Sequence, residues 1–392
     1  TLYTPGTALS PKYYDHFFVA EFRGSPTNSP VHSFSMEPDG AGFSLGNHDT
    51  IVKGLLPTGL DFGPEGALYF GDWINGWGTK NEGRIWKLDV GADAGAEMEL
   101  RSKVKGLLAA DFSGNDEQSL TELLGHQDQR VRFKVQFELA ERGADGFAAL
   151  QNIAAASKEQ LARIHAIWGM SMMMRRGHDG GTAFATLLLD ADQEIIAQSA
   201  KMVGDLKQVG NAEALLGLLV HPSPRARFFA MEALGRTAEK SAVQPIIAML
   251  REDEGKDSWL RHGGMVALGR IGDAVAMRDL AADPSRNVRL LGVVALRRME
   301  SPEVKAFLQD QDEYVVAEAA RAINDDYTIP GAMWPLASTL NARAWTSEPL
   351  IRRAINAAVN VGNDRAADEL IAYINTSANP AAMRAEALAA LG

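Results

Sequence analysis

The alternation of apolar and polar residues changes period once along the chain. Up to about residue 90, short runs such as "HFFVAEF", "VHSFSM", "TGLDFG", "ALYFGDW" and "RIWKL" combine β-branched and aromatic residues, as half-buried strands do. They are bounded by "SPTNSP", "EPDGAG" and "GPEG", which are turn sequences. The pattern predicts antiparallel sheet in two groups, roughly residues 9 to 46 and 50 to 90. A polar stretch at 92–106 then reads as a connector between the β region, 1–91, and a third region, 107–392, where Ala, Leu and Arg follow helical spacing to the end.

The helical region repeats. Nine segments align, among them "HQDQRVRFKVQFELAERG", "HPSPRARFFAMEALGR" and "DPSRNVRLLGVVALRR", with equivalent positions 132, 163, 196, 227, 261, 289, 316, 352 and 384. A period near thirty residues with two helices per unit describes a solenoid. Each helix start follows a polar turn holding Asp, Ser or Pro, which suits an N-cap and first turn. Seven equivalent positions are arginine, namely Arg132, Arg163, Arg227, Arg261, Arg289, Arg352 and Arg384, with Ile196 and Val316 departing. On these features the region resembles the HEAT-repeat family. The resemblance implies a ladder in which the arginines meet Asp128, Asp190, Asp257, Asp283 and Asp310 of the inter-helix turns. An anion-binding groove is the other use of such arginines, but spacing that follows the repeat in an acidic chain favours the ladder.

Charge and composition narrow the functions. With 392 residues and a net charge of -11, the chain lacks the basic footprint of a nucleic-acid or anionic-membrane binder. No apolar run reaches the roughly 18 residues of a membrane span. The absence of cysteine excludes disulfides, cysteine-ligated zinc, thiol catalysis and covalent c-type haem in these residues. No signal peptide is recognisable, and an opening at Thr1 with a close at Gly392 inside a helical pattern reads as a fragment of a longer chain.

The strand groups have the length of propeller blades. "TPGTALSPKYYDHFFVAEFRG" followed by "LPTGLDFGPEGALYFGDWINGWGTKNEGRIWKL" resembles the last blades of the quinoprotein glucose and sorbosone dehydrogenases. The combination with the solenoid is similar to a bacterial propeller, HEAT and cytochrome c arrangement of the membrane-bound dehydrogenase type. That resemblance implies a mainly α chain, a HEAT-type superhelical solenoid preceded by about two blades of an incomplete β-propeller. It implies a periplasmic parent oxidising a sugar or alcohol with pyrroloquinoline quinone (PQQ) and calcium and passing electrons to a cytochrome. Arg23, in the F-V-x-x-x-R-G position, is the implied quinone contact, with Ser25 standing where the family has a second arginine. Asp72 and Arg84 are the further cofactor candidates, as a pair that either lines the propeller funnel or pins adjacent strands. Trp73 and Trp77 offer flat faces for a sugar, or pack on a neighbouring domain.

Two other patterns carry less. His16, His32 and His48 recur at intervals of sixteen, but on different strands and without a carboxylate pattern, so no metal is assigned. The "MSMMMRRG" run at 170–177 reads as helix interior, with an adaptable partner groove as the other reading. No P-loop or H-E-x-x-H occurs, and no catalytic residue is assigned. The chain reads as an interaction scaffold for a protein partner or cytochrome domain; the alternatives are a non-catalytic protein binding carbohydrate and a free-standing HEAT adaptor.

Overall fold

A computed structural model describes residues 1–74, 81–325 and 329–392. The chain divides into two compact units, Thr1–Met202 and Val203–Gly392, and is mainly helical.

The first unit begins with β1 (Leu2–Tyr3), β2 (His16–Ala20), β3 (Val31–Asp39) and β4 (Gly42–Val52), an antiparallel four-stranded sheet in sequence order. A three-stranded antiparallel sheet follows, β5 (Pro57–Phe62), β6 (Leu68–Asp72) and β7 (Arg84–Leu88). Both groups lie where alternation predicts them, and β3 shows the reason: Val31, Ser33 and Ser35 point inward while His32 and Phe34 are partly open. The described residues form two separate sheets, with no closed barrel or propeller. Phe18 and Phe62 meet edge to face at 5.4 Å across the sheets. With Ala8, Leu9, Leu68 and Phe70 they form the shared core, each large side chain contributing about 1.5–3 kcal/mol by burial.

Helices α1 (Met98–Ala109), α2 (Glu117–Leu124), α3 (Gln129–Glu141), α4 (Gly143–Ala156), α5 (Gln160–Arg175) and α6 (Gln193–Asp205) follow. Most of the stretch read as a polar connector is therefore the start of α1, and it is fixed to the sheets. Arg101 of α1 is buried; its guanidinium donates to the Glu65 carbonyl at 2.6 Å and to Asp89 at 2.9 Å. The first repeat is tied down as well. Gln129 N–H donates to the Pro5 carbonyl at 2.8 Å, Arg130 Nη1 to the Gly63 carbonyl at 2.8 Å, and the Thr7 hydroxyl to the fully buried Asp128. Gly6, at φ +96°, brings the backbone so close that a Cβ there would stand 2.7 Å from the Gln127 carbonyl oxygen. Only glycine takes that conformation without strain.

The second unit holds α7 (Ala212–Leu218), α8 (Pro224–Arg236), α9 (Val243–Asp253), α10 (Ser258–Ile271), α11 (Ala274–Asp279), α12 (Arg286–Arg298), α13 (Glu313–Asn324), α14 (Pro330–Ala337), α15 (Glu348–Val361), α16 (Asp364–Asn375) and α17 (Ala381–Leu391). All nine predicted second helices are present: α3, α5, α6, α8, α10, α12, α13, α15 and α17. Polar turns cap most of them, with Asp128, Ser223, Asp257, Asp312 and Ser347 accepting N–H bonds from the first turns; α5, α12 and α17 start without a side-chain cap bond. The first helix is less regular, shrinking to 3-10 turns at Leu187–Leu189 and Pro302–Gln309. Close helix approach depends on glycine: a Cβ at Gly235 of α8 would sit 2.6 Å from Cα of Ala267 in α10.

Candidate functional site

Asp72 closes β6 and stands in register opposite Arg84, the first residue of β7. Their side chains nevertheless form no ion pair. The Asp72 carboxylate is buried and accepts from Leu56 N–H at 2.9 Å and from the Trp86 indole N–H at 3.0 Å. Arg84 lies instead over the Trp86 ring, 5.2 Å from its centre. Trp86 thus meets both charges, its N–H on the carboxylate and its ring beneath the exposed guanidinium. Asp72, Trp73, Ile74 and Arg84 border two clefts of about 630 and 420 Å³. Trp73 is half-exposed and meets Phe22 edge-on at 6.5 Å; Trp77 lies outside the described residues.

Arg23 is elsewhere. It follows β2, is largely exposed, and its guanidinium bonds Glu21 at 2.7 Å, and it lines neither cleft. The structure therefore brings Asp72, Trp73 and Arg84 together and leaves Arg23 out. Glu21 also accepts from His32, at 3.1 Å; these bonds, Arg23 first, hold its carboxyl below the usual carboxylate range. His32 and His48, on paired strands, face each other at 3.1 Å between ring nitrogens. His16 bonds the Tyr14 carbonyl instead. Among the described residues no group of three potential ligands is placed to hold a metal ion.

The repeat arginines divide by partner. Arg163 makes a two-pronged contact with Asp190, and Arg289 does the same with Asp310, at 2.6 and 3.4 Å; each meets the aspartate of the following turn, as a ladder requires. Elsewhere the ladder is altered. Asp283 is met by Arg251 of α9, Asp257 caps α10, and Asp128 is held by Arg130. Arg352 pairs with Glu386 at 3.0 Å. Arg132 reaches two backbone carbonyls, His126 at 2.6 Å and Gln127 at 2.7 Å. In the 170–177 run, Met170 and Met173 are buried in α5, the interior reading.

One site has no counterpart in the pattern reading. Tyr3, Tyr14 and Asp15 from the β region and Arg132, His165, Trp168, Glu194 and Gln198 from α3, α5 and α6 line a cleft of about 420 Å³. The signal for it was a polar residue within an apolar helical run, His165 in "RIHAIWG".

Repeated pairs of helices with capped turns and inter-repeat arginine contacts define a helical-repeat protein. Residues 182–269 and 211–297 match the family model of HEAT repeats, so that stretch carries HEAT repeats. No curated protein matches it in sequence. Among solved structures, human deoxyhypusine hydroxylase in complex with glycerol is similar at 15% identity, covering 65% of this chain and 97% of its own, with a TM-score of 0.25. YibA of Escherichia coli has 16% identity, coverages of 66% and 96% and a TM-score of 0.31. A designed armadillo repeat protein has 20% identity, coverages of 53% and 97% and a TM-score of 0.25. Among the described residues no helix is long and apolar enough to cross a membrane.

Proposed function

We propose that the chain is an interaction scaffold whose repeats present a protein-binding surface. One observation carries this reading. Trp259 and Tyr314 occupy the same place in their repeats, the second residue of α10 and of α13, and remain 48% and 54% exposed. Large aromatic side chains held in view on rigid helices are the residue type that supplies interface hot spots, and helical repeats commonly bind protein partners along such surfaces. The test begins with a partner captured by the full chain, then purified and titrated back. Trp259→Ala with Tyr314→Ala should weaken that binding about tenfold or more while circular dichroism stays unchanged. Unchanged affinity, or no partner that rebinds stoichiometrically, overturns the proposal.

A second reading is supported by the sequence resemblance and by the convergence of Asp72, Trp73 and Arg84. In it the β region ends the propeller of a longer periplasmic dehydrogenase that oxidises a sugar or alcohol with PQQ and calcium, a cytochrome accepting the electrons. The residues in hand do not fit the quinone: the Arg23 guanidinium is engaged by Glu21 and lines neither cleft, and the Asp72 carboxylate already accepts two hydrogen bonds. No chemical step is assigned to them. Titration of the chain with PQQ and calcium, followed by absorbance, tests the reading: stoichiometric binding lost in Arg84→Gln supports it, and glycan binding without quinone binding favours the carbohydrate alternative.

A further inference from the structure

The cleft between the β region and the inner turns of α3, α5 and α6 has a built polar floor. Arg132 is only 6% exposed. Its Nη1 is engaged by the two carbonyls, its Nε is enclosed without a partner, and its Nη2 bonds nothing among the described residues yet is not enclosed. No carboxylate bonds the guanidinium among the described residues, the charge of Asp128 acting on it only from a distance, an arrangement that is costly for a buried cation unless another group approaches it. His165 lies in the same floor, 2% exposed. Burial first, then the charge of Arg132, pushes its imidazole down to about 3, so the ring is neutral. Because Nδ1 faces Gln136 Oε1 at 2.9 Å, the proton belongs on Nδ1, and Nε2 is left as an acceptor.

The remaining lining adds acceptors and flat faces. Asp15 accepts the Tyr3 hydroxyl at 2.8 Å and has further lone pairs, and Glu194 accepts from Gln198, which in turn accepts the Trp168 indole N–H at 3.0 Å. Tyr3 and Trp168 provide ring surface.

We propose that this cleft binds a small neutral polyhydroxyl compound, with one hydroxyl accepting from Arg132 Nη2 and donating to His165 Nε2. A hydroxyl serves both groups at once. A carboxylate could not donate to the histidine and would face Asp15 and Glu194, whereas an ammonium group would face Arg132. The cleft volume lies within the range of small-molecule sites, about 300–1,000 Å³, and the aromatic faces suit the C–H surface of a ring.

The test uses the full chain, calorimetry and ligand-observed NMR, with myo-inositol and D-glucose as neutral probes and D-gluconate as the anionic comparator. One neutral probe should bind, with gluconate at least about tenfold weaker. Arg132→Gln should weaken the neutral ligand about tenfold or more, the loss expected for a hydrogen bond to a charged group. Asp15→Asn, at an exposed position, keeps the test interpretable if Arg132→Gln does not fold, and should weaken binding about threefold or more. The proposal is overturned if neither neutral probe binds at roughly 20 mM, where millimolar affinity is readily seen. Equal binding of gluconate, or affinity unchanged in the folded variants, overturns it too.

Discussion

Replacing Asp128 by alanine should loosen the β region from the first repeat. The carboxylate is fully buried and gathers bonds from distant parts of the chain: the Thr7 hydroxyl, Arg130 N–H at 2.9 Å, and the Arg130 guanidinium at 3.1 and 2.8 Å. Alanine removes an N-cap, at about 1 kcal/mol, and leaves a charged partner unmatched, so the total should approach the roughly 3–5 kcal/mol of a broken buried pair. For a unit of this size each kcal/mol moves Tm by about 2–4 °C, which predicts a fall of roughly 6–20 °C in the transition of Thr1–Met202. Calorimetry of the full chain measures it, with two transitions fitted because two units need not melt together. Hydrogen exchange supplies the location: the Gln129 amide, bonded to Pro5, and the Leu9 amide, bonded to Gly66, should lose protection before those of α4. A cycle with Thr7→Val should give a coupling of about 1–3 kcal/mol. A melting point for Asp128→Ala within about 2 °C of the parent would refute the reasoning, since it leaves no room for even one unmatched buried partner.

The same carboxylate sets a pH dependence. Burial opposes its ionisation, but the bonds from Arg130 and Thr7 outweigh burial and hold the group below its ordinary value. A depressed folded pKa contributes stability that is complete above the unfolded value, about 3.9, and is lost as pH falls through the folded one; acid titration of Asp128→Asn should lack this part of the loss. Gly6→Ala should destabilise the first unit by about 1–3 kcal/mol, because it combines positive φ with a carbonyl clash, read by urea unfolding. Arg289→Met, which breaks a largely buried pair with Asp310, should cost about 3 kcal/mol, whereas Arg352→Met, in a solvent-exposed pair, should leave the urea midpoint of the second unit unchanged. Gly235→Ala should cost about 1–3 kcal/mol by overpacking α8 against α10, again in chemical denaturation.

The period switch near residue 90, the two strand groups, the nine second helices and most of their caps were legible in the residue pattern. Each is decided within three or four neighbours along the chain, by side-chain periodicity and by hydrogen bonds from a cap to the next turn. The ladder was legible only in part. Arg163 and Arg289 meet the expected aspartates, but Asp283 goes to Arg251 and Asp128 to Arg130, because the repeat fixes which residues are near one another and packing chooses among them. Asp72 and Arg84 were rightly placed on adjoining strands; that Trp86 takes the carboxylate and carries the guanidinium depended on side-chain orientation, which strand alternation does not specify. The start of α1 was missed because its sequence is polar and its anchor, Arg101, bonds residues far back in the chain. The residue pattern by itself thus determined the elements and their order. Tertiary structure alone decided the bond between Thr7 and Asp128, 121 residues apart, and the cleft floored by Arg132 and His165. Such contacts depend on how elements dock after loop closure, and local periodicity carries no record of that.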